Sequence, residues 1–404
     1  AHPFAASRFK ITSDKQIETL KGLGVARIRY VPSQSDPLEP ALAGLTSAQE
    51  QAQSDRLRAQ EADRKAQALR QQRQALRATQ QASLAVCERR FTESTQAYRT
   101  TLDLLHSKPL EAAQLCQSMV SNLVSEMAQH SEVAIRLLTE AAGDKVAMHP
   151  VNVTVISLLL GRAMGMQGQA LENLGLAAFL HDMGKLELPE RVRRPDEHFS
   201  NADHKVYQDH VAQGVRLARQ MNLSPGTLQA IAQHHELADG SGFPMRLKAD
   251  AIGAGARILA LVNRYDGLCN PYKASAAMTP HEALALIFAQ LKTRFETTAL
   301  SSFIRMMGVY PPGSVVQLND ERHAIVVSVN SGRPLKPRLI VHEPGVPRHE
   351  AVVLDLEHAP NASIRRSLKP SSLPTAAFDY LQPRQRICYF CEPAANVGTL
   401  VESA

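Results

Sequence analysis

Apolar residues recur at i, i+3 and i+4 through the middle of the chain, as in Val151, Val155, Leu158 and Leu159 and again in Leu284, Ile287 and Leu291. Residues 109–308 are therefore predicted to form a compact helical domain. Thr279-Pro280-His281-Glu282 marks one helix start, with an N-cap threonine, proline at the first helical position and glutamate at the third. Upstream, the 64 residues 45–108 contain neither Gly nor Pro and open with Ser47-Ala48-Gln49-Glu50 at capping-box spacing. That predicts a helical linker over 44–108, roughly 95 Å long at 1.5 Å per residue and too long to pack inside one compact domain. Leu57, Leu69, Leu76 and Leu84 keep only a broken heptad, which leaves a coiled-coil dimer and a solvated spacer both open. Residues 1–43 read as a small α/β module, with a helix from Asp14 to Leu23 and an alternating strand over 27–31. After Pro311-Pro312-Gly313 the period changes to short β-branched runs at 315–318, 324–329, 339–342 and 351–356, so 309–404 is predicted to be a β-rich module.

Composition narrows the class. With 44% apolar and 21% charged residues the chain is that of an ordinary folded protein, not a disordered or fibrous one. The apolar run at 153–160 is stopped by Gly161 and Arg162, well short of the roughly 20 residues of a membrane span. The chain starts at Ala1 without an initiator Met and reads as trimmed; with no signal-peptide pattern, a cytoplasmic location is expected. Five cysteines (Cys87, Cys116, Cys269, Cys388, Cys391) make no disulfide framework, and the Cys388/Cys391 pair reads as two buried thiols on a strand. The net charge of +6 is spread along the chain, so no nucleic-acid polymer is expected as partner.

Histidine carries the chemistry. Seven of the 15 histidines lie between positions 149 and 235. His149, the doublet His181-Asp182, His210 and the doublet His234-His235 each fall at a helix face or end. His198 and His204, in a polar stretch, read as ordinary surface histidines. A single helical histidine is usually just hydrogen-bonded, but two doublets and two further histidines on one helical domain are hard to explain as packing, since buried imidazoles need partners. Neutral imidazole and carboxylate suit borderline divalent metals, and helices hold such ligands rigidly.

Leu180-His181-Asp182-Met183-Gly184-Lys185 and the segment from His234-His235-Glu236 to Gly242-Phe243-Pro244 resemble the two signature blocks of the HD-GYP family, the cyclic di-GMP phosphodiesterase branch of the HD metal-dependent phosphohydrolases. The start of the chain, with His2-Pro3-Phe4 and Ser13-Asp14-Lys15-Gln16-Ile17, is similar to the small domain of unknown function often found ahead of it. The resemblance implies an HD-type helical bundle, so the fold class is mainly α, with the N-terminal module, the long helix and the β-rich module attached. It also implies two divalent metal ions, Fe or Mn, held by His149, His181, Asp182, His210, His234 and His235, with Asn263 at a further metal-site position. One metal would take His149, His181 and Asp182, the other Asp182, His210, His234 and His235. Lys185 and Asp182 are the implied catalytic residues, and Lys185, Asp266 and Lys273 the implied substrate contacts. Two metals bridged by Asp182 would lower the pKa of a shared water and present hydroxide to phosphorus, while Lys185 stabilises developing negative charge.

The sequence departs from the family pattern at four places. Lys145, with Asp144 beside it, stands where three-metal members have Glu, which favours two metals. Asn263 stands at the last carboxylate ligand position, Phe243 replaces the tyrosine of Gly-Tyr-Pro, and no Arg precedes Pro271. Arg246 or Arg264 is a candidate substitute for that Arg, although Arg264 by itself reads as a solvated helix face. The leading function is hydrolysis of cyclic di-GMP to linear pGpG, with further cleavage to GMP left open. The alternatives are a degenerate cyclic di-GMP receptor or signalling scaffold, and an HD hydrolase of another phosphoester. Diguanylate cyclase domains and a second copy, paired through the long helix, are the expected protein partners.

Overall fold

The computed structural model describes residues 8–24, 27–35, 40–139, 147–195 and 198–394, without the side chains of residues 32 and 40–48. Contacts divide the chain into two units, 1–71 and 72–404. In the first, helix α1 (Asp14–Gly22) forms where expected, with acidic Asp14 in its first turn and Lys21 in its last. The strand expected over 27–31 does not form. Alternation alone does not make a strand; the backbone needs a neighbour to pair with, and no strand is present among the described residues of this unit.

Helix α2 (Pro40–Leu104) is the long helix the sequence predicts. Its later part corrects the expectation of a linker. Cys87, Phe91, Tyr98 and, just past its end, Leu105 are buried in the main core, where the Tyr98 ring meets Phe179 edge-on at 5.2 Å. The spacing 87, 91, 98, 105 is a helical stripe, so this half of α2 belongs to the compact unit.

The second unit continues with α3 (Pro109–Ala128), strand β1 (Val133–Leu137), α4 (Met148–Ala163), α5 (Gly168–Leu180), α6 (Asn201–Gln220), α7 (Pro225–Gln233), α8 (Ala254–Cys269), α9 (Pro280–Gln290) and α10 (Thr297–Met307). Strands β2 (Val315–Leu318), β3 (His323–Asn330), β4 (Arg338–Val341), β5 (Val353–Asp355) and β6 (Ile364–Leu368) follow, then α11 (Thr375–Leu381) and β7 (Tyr389–Pro393). The capping box at Thr279 forms as predicted, Thr279 Oγ1 accepting from the Glu282 amide and Glu282 accepting in return. Among the described residues no helix is long and apolar enough to cross a membrane. Cys388 and Cys391 are buried and form no disulfide, and burial pushes the Cys391 pKa up to about 12.

Strand β1 corrects the all-helical reading of 109–308 and ties the C-terminal strands to the helices. The antiparallel sheet runs β5-β4-β3-β1-β7, with β2 pairing β3 and β6. β1 therefore lies between two strands from the far end of the chain, with Ile135 opposite Val329 on one side and Cys391 on the other. One core cluster includes Ile135, the α4 and α5 residues Leu158 and Phe179, and Tyr389 and Phe390 of β7. The C-terminal strands are thus not a separate module.

The sheet also holds a buried ionic network. Glu392 lies 3.7 Å from Arg136 and 3.9 Å from Arg338, and it accepts from Ser328 Oγ at 3.1 Å and from Ser83 Oγ of α2 at 2.9 Å. Arg338 bonds Asp355 at 2.9 Å and the Ala394 carbonyl at 2.7 Å. Gln80 of α2 bonds both backbone groups of Val353. Glu392→Ala leaves two buried guanidinium groups without their shared carboxylate, an expected loss of about 3–5 kcal/mol. Urea unfolding checks this: the midpoint falls if the network holds the sheet together, and stays put if the arginines find other partners.

Candidate metal centre

Each predicted ligand sits where a helix starts or ends, or on a helix face that meets another helix. His149 is in the first turn of α4, His181 and Asp182 follow the last turn of α5, His210 is on α6, and His234 and His235 follow α7. Close packing of the 183–187 turn on α6 brings these together. A Cβ on Gly184 would lie 2.0 Å from the His210 carbonyl oxygen and 2.4 Å from the Gly214 nitrogen, so only glycine allows this approach. Gly242 has a similar role on the other side, since its Cβ would lie 2.5 Å from the His235 carbonyl oxygen. That turn lays Phe243 flat on His235, ring centroids 4.4 Å apart.

The donors form two groups that share one residue. Asp182, His210, His234 and His235 place one atom each within 4.8 Å of one another, and so do His149, His181 and Asp182. Asp182 divides its oxygens between them. Its Oδ2 lies 3.4 Å from His181 Nε2 and 3.7 Å from His149 Nε2. Its Oδ1 lies 3.8 Å from His210 Nε2 and 4.0 Å from His234 Nε2.

Hydrogen bonds fix which nitrogen faces inward. His181, His210 and His234 each point Nδ1 at the carbonyl three residues earlier, those of Ala178, Tyr207 and Ile231, at 2.8, 2.6 and 2.7 Å. With the proton on Nδ1, each Nε2 presents a bare lone pair to the centre. His210 Nε2 and His234 Nε2 then face each other at 3.3 Å, and His149 Nε2 and His181 Nε2 at 3.2 Å. Lone pairs at such separations repel unless a cation lies between them. Asp182 Oδ1 and His235 Nε2 are also buried without a hydrogen-bond partner among the described residues. These orphaned acceptors and facing lone pairs fit two divalent cations.

Electrostatics keeps Asp182, His210, His234 and His235 in their metal-binding forms. Burial, against the pull of Asp182, lowers the His210 pKa to about 4. Burial and neighbouring imidazoles hold His234 and His235 well below the ordinary histidine value. Burial opposes ionisation of Asp182, but His181, Lys185 and His210 outweigh it and hold the carboxylate well below its usual range. Lys185 Nζ lies 2.6 Å from Asp182 Oδ2, and despite burial that carboxylate raises its pKa. Lys185 therefore stays a cation. At His149, burial is outweighed by Asp266, which accepts from Nδ1 at 2.6 Å and raises the imidazole pKa.

A cleft of about 600 Å³ opens onto these groups. The six predicted histidine and aspartate ligands converge, with Lys185 beside them. Asn263 lines the cleft together with His149 and Asp182. Asp266, expected to touch substrate, is instead fully buried, bonded to His149, to Asn152 Nδ2 at 2.9 Å and to Asn270 Nδ2 at 2.9 Å. Its place is behind a ligand histidine. Lys273 and Arg246 are not among the lining residues, whereas Arg264, read as a solvated helix face, is. Asp144 and Lys145 lie outside the described residues. Sequence reasoning missed Asn152, Asn270 and Tyr207. Tyr207, whose ring lies 5.3 Å from Lys185 Nζ, precedes His210 by one helical turn, which was the available signal.

Comparisons with known proteins agree with this geometry. Residues 103–298 match the family model of the HD domain, and residues 1–116 match that of a domain of unknown function, DUF3391. The chain is 25% identical over 227 residues to a cyclic di-GMP phosphodiesterase of Pseudomonas aeruginosa, covering 55% of this chain and 54% of that one. It is 32% identical over 152 residues to the cyclic di-GMP phosphodiesterase response regulator RpfG of Xanthomonas campestris pv. campestris, covering 36% and 39%. It is 25% identical over 176 residues to the 3'3'-cGAMP-specific phosphodiesterase 3 of Vibrio cholerae, covering 43% and 38%. The chain spans about half the length, or less, of these curated relatives. With matching histidine blocks and a helical core, residues 103–298 belong to the HD domain family, preceded by the domain of unknown function DUF3391.

Proposed function

We propose that this protein is a metal-dependent phosphodiesterase that opens cyclic di-GMP to the linear dinucleotide. The observation that carries the reading is the division of Asp182, one oxygen toward each histidine group. A cation pair bound there, Fe or Mn, supplies Lewis acidity and a water acidic enough to attack phosphorus near neutral pH. In the net reaction water adds to one phosphorus, one P–O bond to ribose breaks, and the proton passes to the departing ribose oxygen.

The chain's own residues prepare this. Asp266 fixes the tautomer of His149 and makes its inward nitrogen a better donor. Lys185, held charged beside Asp182, is placed to draw in a phosphoryl oxygen and to stabilise the charge that builds on it. Phe243, stacked on His235, covers that imidazole with an apolar face. The names of the relatives, which include phosphodiesterases of cyclic di-GMP and of 3'3'-cGAMP, support a cyclic dinucleotide as substrate class. A receptor that binds cyclic di-GMP without turnover is the second reading, favoured by the neutral amide of Asn263 on the cleft wall. Metal-loaded protein incubated with cyclic di-GMP, with products separated by ion-exchange chromatography, decides between them. Accumulating linear dinucleotide supports the enzyme, and bound but intact cyclic di-GMP supports the receptor.

Three substitutions extend the test. Asp182→Asn is expected to lose both metals and all hydrolysis, measured by elemental analysis after dialysis; two retained metals per chain would remove the bridging role. Asp266→Asn keeps a hydrogen-bond acceptor but loses the charge behind His149, so metal affinity should drop about 10- to 100-fold at one subsite only. Calorimetric metal titration would show one weakened and one unchanged site. Asn263→Asp adds a negative charge facing the cations and is expected to raise metal occupancy at matched metal concentration. Unchanged occupancy would place residue 263 outside the metal shell.

A further inference from the structure

We propose that Arg264 and Arg294 form a phosphate-binding subsite that holds the second phosphodiester of the substrate, the one not presented to the metal ligands. The inference deepens the reading of a cyclic dinucleotide substrate and rests on it. Such a molecule carries two phosphates on opposite sides of its ring, and only one can reach the histidine cluster, so the other needs a cationic partner elsewhere in the cleft.

The cleft wall formed by α8 is built from Ala260, Asn263, Arg264 and Gly267, spaced i, i+3, i+4 and i+7 on one helical face. Ala260 and Gly267 are small, and a Cβ added to Gly267 would meet nothing within 4 Å, so Arg264 rises from a low floor beside open space. Arg294, at the end of the turn that precedes α10, lines the same cleft. Neither guanidinium makes a salt bridge within 4.0 Å among the described residues, the nearest electrostatic influence being that of Arg294 on Asp239, whereas the two other arginines lining the cleft are engaged: Arg193 bonds the carbonyls of Leu186 and Leu188, and Arg194 bonds and stacks on Tyr272. Burial, and after it the charge of Arg294, lowers the Arg264 pKa, and no carboxylate offsets them. Both arginines are exposed to the solvent of the cleft, and Asp239 lies in the field of Arg294 alone; a phosphodiester bridging the two arginines would add charge-assisted hydrogen bonds to both. Asn270 cannot take this role. Its amide nitrogen is used by Asp266 and the Ile387 carbonyl, and its oxygen by the Ile387 amide.

The test is calorimetric binding of two probes, cyclic di-GMP and inorganic pyrophosphate, to the full chain as purified and after chelation. Chelation removes cations that would otherwise draw phosphate to the histidines. Arg264→Ala, Arg294→Ala and Arg264→Lys are compared with the parent, with circular dichroism as the folding control. The subsite predicts that the chelated parent binds both probes, that each alanine variant weakens both by about tenfold or more, and that Arg264→Lys falls between, since lysine keeps the charge but not the fork. Pyrophosphate binding that is absent in the chelated parent, or unchanged in both alanine variants, overturns the subsite. Loss of cyclic di-GMP binding alone, with pyrophosphate unaffected, overturns the phosphate assignment in favour of a base contact. Arginine-dependent pyrophosphate binding with no affinity for cyclic di-GMP upholds the anion subsite and overturns the substrate reading.

Discussion

The carboxylate of Asp182 is the constraint around which the site is arranged. A buried carboxylate is stable only where positive charge or donors compensate it, and around Asp182 the described residues supply one ammonium, on Oδ2, and imidazoles whose inward nitrogens carry lone pairs. Among the described residues Oδ1 has no hydrogen-bond donor. The same geometry that makes this costly without metal makes it favourable with cations on either side, because each cation relieves a repulsion between facing nitrogens as well as the bare oxygen. Close approach at Gly184 is what allows the carboxylate to stand between α5 and α6 while Lys185 remains beside it.

That arrangement depends on parts of the chain far from the histidines. Asn152 sits one turn after His149 on α4 and uses its amide to join Asp266 to β7: it donates to Asp266 and to the Ile387 carbonyl, and accepts from the Tyr389 amide. Asn270 repeats the link from the end of α8. The strand that ends the described chain thus holds the carboxylate that holds a ligand histidine. Through Glu392, the same strand meets Ser83 of the long helix α2. The sheet is in this sense the footing of the metal centre, which gives β1, inserted between β3 and β7, a reason to leave a helical region.

The cluster of candidate ligands was legible in the sequence because it is concentrated in short blocks at helix ends, and the structure brings these residues together. What escaped notice depends on tertiary contact. Val133–Leu137 reads Val-Ala-Ile-Arg-Leu and is buried on both faces, Arg136 included, so it has no period-2 alternation to separate it from a helix. The buried stripe of α2 is interrupted by arginines and glutamines that dominate its composition, so a packed helix resembled a spacer. The alternating residues 27–31 suggested a strand, but pairing requires a neighbour that local sequence does not reveal. Asp266 looked like a substrate contact from its place beside the Asn263 position. Its burial is decided by Asn152 and Asn270, which approach from two different elements. Arg264 is exposed, in keeping with a solvated helix face, and what the sequence does not show is that the cleft opens onto that face.

Anomalous diffraction from crystals of the full chain equilibrated with Mn²⁺ tests the central claim most directly. The account predicts two manganese peaks on either side of the Asp182 carboxylate, one against His149 and His181 and the other against His210, His234 and His235. A single peak, or two peaks of which only one touches Asp182, would contradict it.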